Sequence, residues 1–300
     1  MILVKKVLDL VRANFLPASI IPFFLGAALA FHSGYELTAL KLFIGLSGVI
    51  SAHLACNASN NYYDHASGAD GPCTVTTPFF GGTKIISSGE VSPAAAALTS
   101  AVFGIYAIFA GILIFFITEN PVFIMVTAFS AILASQYTAG PFKLSYKGMG
   151  ELVIFILFGP LLIVGSYYLF SENLSFDSLM LSFIPGGLIF AVIICNEIPD
   201  DGTDKKAGKK NLVVILGREK GKILYAAGVL FSAIFLAICV GKGVLPPVSA
   251  VSAIFYFIPV KVLREIRNNT NNISTMTKAG KLTVITHLLV TLTITAALVF

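Results

Sequence analysis

The sequence predicts an all-α fold, a polytopic membrane protein of about nine transmembrane helices. Three observations carry this. The chain has 300 residues, 56% of them hydrophobic and only 12% charged, where soluble domains carry about 25% charged residues. Its mean hydropathy is +0.88. Its apolar residues gather into nine runs, each close to the roughly 17–25 residues that cross a bilayer as a helix.

The first run, near 15–31, is short and holds Pro17 and Pro22. Lys5 and Lys6 ahead of it and Ala28-Leu29-Ala30 at its end resemble a secretory signal with its cleavage site. The two prolines, the adjacent Arg12 and Asn14, and eight further runs favour a retained helix instead. Runs near 39–59 and 94–118 follow, separated by the polar stretch 60–92. The runs near 121–139 and 151–170 flank a short loop with Gly140, Pro141, Lys143 and Lys147. The run near 179–197 ends directly in acids, and the polar stretch 198–221 leads from it to 222–241. Runs near 245–263 and 282–300 complete the set, with 264–281 between them. Residues 1–300 therefore read as a single transmembrane domain, with no soluble domain inserted. Gly26, Gly45, Gly48, Gly159, Gly186 and Gly187 suit close helix packing. Cys56, Cys73, Cys195 and Cys239 show neither metal-type spacing nor a disulfide framework and read as small reduced core residues.

Parity orders the loops. The stretches 60–92, 139–150, 198–221 and 264–281 all follow even-numbered spans, so they share one side with the N-terminus. Of the 20 lysines and arginines, all but Lys41 and Lys242 fall on that side. The positive-inside rule makes it cytoplasmic, which predicts a multi-pass protein of the cell membrane with these loops inside. Asp64, Asp70, Glu90, Glu151, Glu197, Asp200, Asp201 and Asp204 lie there too. Acids contribute little to topology, so their clustering has another cause.

Two acidic clusters stand out. In NASNNYYDHASGAD, Asn60 and Asp64 are four residues apart and share a helix face. Asp70 follows Gly68, after which the chain has turned. In NEIPDDGTDKKAGKKNL, Asn196, Asp200 and Asp204 repeat at four-residue spacing, and Pro199 and Gly202 predict that the helix loosens there. Ionisable groups next to lipid are costly and point to function. Oxygen-only donors suit Mg²⁺ or Ca²⁺, and Mg²⁺ completes its shell with waters and phosphates. Lysines, point-charge phosphate binders, lie beside both clusters: Lys84 after the first, Lys205, Lys206, Lys209 and Lys210 after the second, Lys143 and Lys147 on the same side. The combination suits a substrate with a diphosphate head and an apolar tail. Blander readings apply to several residues. The lysine run also serves as a topology signal, Asp201 reads as a solvated neighbour of Asp200, and His53 and His65 read as hydrogen-bonded structural residues. The rival class is an ion-using transporter or lipid-binding protein, but transporters place such groups at the bilayer midplane, whereas here they sit at span ends with lysines.

These residues resemble the UbiA superfamily of intramembrane prenyltransferases. NNYYDHASGAD resembles its N-D-x-x-D-x-x-x-(x-x)-D motif. NEIPDDGTDKKAGKKNLVVILGR resembles its second motif, D-x-x-x-D followed by G-K and a Leu-Gly-Arg ending. GGTKIISSGEVSP resembles its R-x-x-x-S-G loop. QYTAGPFKLSYKGMGE and RANFLPASIIPFFLGAALA resemble segments of the branch that includes the menaquinone-pathway MenA enzymes. The resemblance runs to about residue 230. It implies nine helices around a central cavity open to lipid, and Mg²⁺-dependent transfer of a polyprenyl group from its diphosphate to an aromatic acceptor such as 1,4-dihydroxy-2-naphthoate. It implies metal ligation by Asn60, Asp64 and Asp70 and by Asn196, Asp200 and Asp204. It implies diphosphate contacts from Lys84, Lys143, Lys147 and Lys209, with Arg12 and Asn14 where the first helix approaches the site. Asp64, Asp200 and Lys143 are the expected catalytic residues, and Tyr137, Tyr146 or the diphosphate itself the expected proton acceptor. Partners are the polyprenyl diphosphate, the acceptor and membrane lipid, with no nucleic acid. The chain departs from the pattern at Asn61, where Asp is usual and a charge is lost, and at Glu197 and Pro199. These departures leave 4-hydroxybenzoate, a homogentisate-type ring, a glycerol-phosphate lipid or a tetrapyrrole as alternative acceptors.

Overall fold

A computed structural model of the chain describes residues 2–69, 76–80, 82–267 and 269–300, with backbone only for Ile2 and Leu3. Among these residues the regular elements are all helical. A short helix α1 (Ile2–Leu10) leads into α2 (Pro17–His32), α3 (Ala39–Ser67), α4 (Pro93–Thr118), α5 (Val122–Thr138), α6 (Gly150–Ser171) and α7 (Phe176–Lys206). The short α8 (Leu212–Leu216) precedes α9 (Arg218–Gly241), α10 (Pro247–Ile266) and α11 (Ile273–Val299). Counting α2 together with the 3-10 turn before it (Ala13–His32), eight of these helices are long and apolar enough to cross a membrane, and the 17-residue α5 is a shorter apolar ninth. The chain is an integral, multi-pass membrane protein. Only α1 and α8 lie outside the expected spans.

Local chemistry sets the helix starts. Pro17 opens α2, where its missing N–H costs nothing. The side chains of Ser92, Ser175 and Asn272 accept hydrogen bonds from Ala95, Ser178 and Thr275 N–H at the starts of α4, α7 and α11. Pro160 lies within α6 and is absorbed by a π-turn over Leu157–Leu161.

Two helices are much longer than their apolar runs. The 29 residues of α3 and 31 of α7 rise about 43 and 46 Å, against a hydrocarbon core of about 30 Å. Their polar C-terminal turns therefore project beyond the lipid core at the same end of the bundle. Gly68, at φ 81°, terminates α3. The expected loosening at Pro199 and Gly202 does not occur, and α7 stays continuous to Lys206. The missing proline bond is offset by packing. Ile198 is fully buried next to Gly221 of α9, and Thr203 Oγ1 donates to Asp200 O at 2.8 Å.

Helix α7 is the centre of the packed half. Leu181, Ile184, Leu188, Ala191, Ile194 and Ile198 recur at helical spacing and have no exposure. It crosses α9 at Gly187 and Gly228, where a Cβ on Gly187 would meet Gly228 O at 2.7 Å. It meets α6 at Gly186 and Gly159, so small residues set both crossings as expected.

The other half is hollow. Helices α2 to α6 line a cavity of 740 Å³ whose walls are mostly Gly, Ala, Ser and aliphatic side chains. It runs from Tyr62 and Tyr63 to Ile44 along α3, about 28 Å of helix rise.

Candidate active site

The projecting ends of α3 and α7 meet through one lysine. Lys209 Nζ lies 3.7 Å from Asp64 Oδ2 and 3.9 Å from Asp204 Oδ1. It also stands 5.9 Å over the ring of Tyr146. The two acidic clusters, 140 positions apart in the chain, thus share a counter-charge. Burial alone would push the Lys209 ammonium down, but Asp64 and Asp204 together outweigh it and hold the pKa well above the usual lysine value.

Each acid is further held. Tyr146 Oη donates to Asp64 Oδ1 at 2.9 Å and lies 2.7 Å from Ser67 Oγ. Burial and then Asp64 raise the Tyr146 phenol, in keeping with its role as a donor to Asp64. Asn211 Nδ2 donates to Asp204 Oδ2 at 2.6 Å, while its Oδ1 caps α8 at Val214 N–H. The loop carrying Lys209 is anchored twice more. Lys209 N–H donates to Asp204 O, and Leu212 N–H donates to Glu151 Oε1 at 2.5 Å.

The remaining expected residues divide. Asn60 and Asp200 are half-buried on the same helix faces as Asp64 and Asp204. Asn196 Oδ1 is buried with no hydrogen-bond partner among the described residues, close to Gly280 of α11. Asp70 lies outside the described residues. Lys84, Lys143 and Lys147 are exposed. Among the described residues, no group of three or more His, Cys, Asp or Glu side chains converges on one point.

Arg12 and Asn14 brace the N-terminal segment. Arg12 Nε and Nη2 donate to Asn61 Oδ1 at 3.0 and 2.6 Å. Asn61 Nδ2 in turn donates to Leu10 O, and Asn57 Nδ2 to Val11 O. Asn14 Nδ2 donates to Pro78 O at 3.1 Å. Arg12 adopts φ 47°, a strained left-handed turn held by this network. Asp201 is not merely solvated. It pairs with Arg218 Nε at 3.3 Å, and Arg218 also donates to Asn271 in the next polar loop.

Glu197 and Glu151 were absent from the expected site. Glu151 is fully buried, and the Glu197 carboxyl lies against it. Each keeps an Oε2 without a hydrogen bond among the described residues. The signal for Glu151 was faint, a lone acid after the Gly148-Met149-Gly150 turn. Asn211 was detectable as an amide directly before the apolar run Leu212–Leu216.

Comparison with known proteins identifies the family. The model of the UbiA prenyltransferase family matches residues 19–285. A 1,4-dihydroxy-2-naphthoate octaprenyltransferase of Bacillus subtilis is 28% identical over 240 residues, 80% of this chain and 75% of that protein. An enzyme of the same name from Mycobacterium tuberculosis is 30% identical over 75% of this chain and 76% of its own. Among solved structures, a UbiA homolog from Aeropyrum pernix shares the fold with a TM-score of 0.70 at 14% identity, over 91% of this chain and 94% of that one. A UbiA homolog from Archaeoglobus fulgidus bound to GPP and Mg²⁺ does so with a TM-score of 0.65 at 18% identity, over 96% and 99%. With the family matched along most of its length, the chain belongs to the UbiA prenyltransferase family and is a prenyltransferase.

Proposed function

We propose that this single transmembrane domain, residues 1–300, transfers a polyprenyl group from its diphosphate to a ring carbon of 1,4-dihydroxy-2-naphthoate and releases diphosphate. One observation carries the reading. Asp64 and Asp204 converge on Lys209 at the polar end of an apolar cavity as deep as α3 is long within the membrane. Such a site receives a charged head and a long hydrocarbon tail together. The acceptor is supported by the relatives that carry the naphthoate name.

The donor set fits a hard divalent cation. Asn60, Asp64, Asp70, Asn196, Asp200 and Asp204 supply oxygen only, and the buried Asn196 Oδ1 lacks a partner among the described residues. These six residues would hold Mg²⁺, which when bound supplies charge neutralisation for the departing diphosphate. Asp64 and Asp200 are the acids on which catalysis depends most. Lys209, already between the acids, together with the exposed Lys84, Lys143 and Lys147, offers ammonium groups to the diphosphate. Arg12 and Asn14 serve that end of the site by holding the α1–α2 bend.

In the reaction the allylic C–O bond breaks and the diphosphate leaves with its electron pair. The apolar walls keep water from the cation. The electron-rich ring carbon forms the new C–C bond and the ring proton leaves to the diphosphate, while Tyr146 stays a hydrogen-bond donor to Asp64. The lysine and arginine asymmetry supports a cytoplasmic position for this end of the bundle.

The test uses purified protein in nanodiscs with a polyprenyl diphosphate and 1,4-dihydroxy-2-naphthoate. Product mass and released diphosphate are followed with Mg²⁺ or with EDTA. Prenylated product is expected only with Mg²⁺, and Asp64→Ala and Asp200→Ala each abolish it. Wild-type rates in both variants would show that the site is misplaced. Prenylation of 4-hydroxybenzoate in preference to the naphthoate would replace the acceptor.

A further inference from the structure

The apolar cavity contains a histidine, a polar group that a hydrocarbon tail cannot satisfy. His53 lies on α3, seven residues before Asn60 and on the same face, about 10 Å deeper along the helix. It is 7% exposed and lines the cavity. Its Nδ1 is 2.7 Å from Ser19 Oγ of α2, its only hydrogen bond among the described residues. Its ring stands edge-on to Phe158 at 5.1 Å, and Phe158 belongs to the π-turn of α6. Three helices thus fix the orientation of this imidazole, and Nε2 is left without a protein partner among the described residues.

When hydrocarbon fills the cavity, a ring nitrogen on its wall forfeits its hydrogen bond to water and gains nothing in return. A ligand that brings a hydroxyl removes that penalty. The tautomer is set by the bond at Nδ1, and a hydroxyl can either accept from Nε2–H or donate to bare Nε2. A polyprenyl tail has no such group, whereas a hydroxylated aromatic ring has. The edge of Phe158 beside His53 and the small wall residues Ala52 and Cys56 leave space for a flat ring.

We propose that His53, oriented by Ser19 and flanked by Phe158, binds a ring hydroxyl of the aromatic acceptor and thereby positions it in the cavity. This rests on the reading of the chain as an aromatic prenyltransferase. His53 is a specificity-determining residue here and does not exchange protons in the reaction.

The experiment measures KM for 1,4-dihydroxy-2-naphthoate and for the polyprenyl diphosphate separately. It also measures inhibition constants of two naphthoate analogues, each lacking one ring hydroxyl. His53→Asn keeps a polar group near Nδ1 for Ser19 but has nothing at Nε2. It should raise the acceptor KM by on the order of tenfold and leave the prenyl diphosphate KM unchanged. His53→Gln, which reaches the Nε2 position, should recover most of that loss. The wild-type protein should bind one of the analogues about tenfold more weakly than the dihydroxy compound, and His53→Asn should bind all three alike. Discrimination retained in His53→Asn, or equal rises in both KM values, overturns the assignment. If the wild-type protein prenylates no hydroxylated ring at all, the functional reading fails first and takes this inference with it.

Discussion

Replacing Lys209 with methionine isolates the electrostatics of the site. Methionine retains much of the aliphatic length and removes the charge. At 3.7 and 3.9 Å, each lysine–carboxylate attraction is about 4 kcal/mol in an effective dielectric of about 20. Desolvation of three partly buried charges offsets much of that sum. Removing one member of a buried pair nevertheless costs about 3–5 kcal/mol, because the remaining charges are left uncompensated. Lys209, Asp64 and Asp204 have side-chain exposures of 16, 5 and 10%, so the lower end, about 3 kcal/mol, is expected. In metal-free buffer Lys209→Met should therefore unfold at lower SDS mole fraction in mixed micelles than the parent. Mg²⁺ offers Asp64 and Asp204 a replacement cation, so it should stabilise Lys209→Met more than the parent, in which the ammonium already competes for the same oxygens. Equal stability of the two proteins in EDTA, or an equal response to Mg²⁺, would refute the idea that Lys209 and a divalent cation share one carboxylate pair.

Further expectations follow from the same geometry. The folded-state pKa of Lys209 is raised, so its contribution is complete below the unfolded value of about 10.4 and is lost only as pH climbs through the folded value. The stability gap between parent and Lys209→Met should then be flat from about pH 6 to 9, and a titration inside that window in SDS unfolding would count against the pairing. Tyr146→Phe removes a hydrogen bond to the Asp64 carboxylate, worth about 1.5–3 kcal/mol. It should lower kcat/KM roughly ten- to hundredfold while the protein still folds, and an unchanged value would place Tyr146 outside the site. Gly165 lines the cavity, and a Cβ there meets nothing within 4 Å. It sits about 22 Å along α6 from Gly150, so Gly165→Leu should impair long prenyl donors and spare short ones. An unchanged ratio of kcat/KM for long and short donors would mean that the tail lies elsewhere.

The spans were legible because lipid obliges each crossing segment to satisfy its own backbone hydrogen bonds, so a long apolar run already implies a helix. The helix ends were not. Residues 60–67 and 198–206 are polar, and the second stretch carries Pro199 and Gly202. Their helicity comes from contacts distant in sequence, such as Ile198 beside Gly221 and Asn61 bonded to Leu10. The acids of the site could be found by spacing alone. Among the four adjacent lysines, composition does not distinguish Lys209 from Lys205, Lys206 and Lys210, which are exposed. The distinction arises from the turn after α7, where Lys209 N–H folds back on Asp204 O. The role of Glu151 was hidden for a similar reason, since the loop it anchors lies 61 residues away.

Asn61 shows how such contacts change the meaning of a substitution. Read in isolation, an amide in place of the usual acid removes charge from the metal end of the site. In the folded chain both ends of that amide are committed, Oδ1 to Arg12 and Nδ2 to the carbonyl of Leu10. A carboxylate at this position would keep the arginine and lose the donor to Leu10, setting two acceptors against each other in a buried contact. The missing charge is therefore linked to how this chain holds α1 against α3. Arg12, at its strained backbone angle, is stabilised by the same amide. The negative charge that remains on α3 is carried by Asp64, whose two oxygens already face Tyr146 and Lys209. That concentrates the electrostatic work of the described end of α3 on a single residue, and it explains why the two long helices must project beyond the hydrocarbon. There Asp64 and Asp204 meet a common cation and still open onto a cavity that belongs to the lipid.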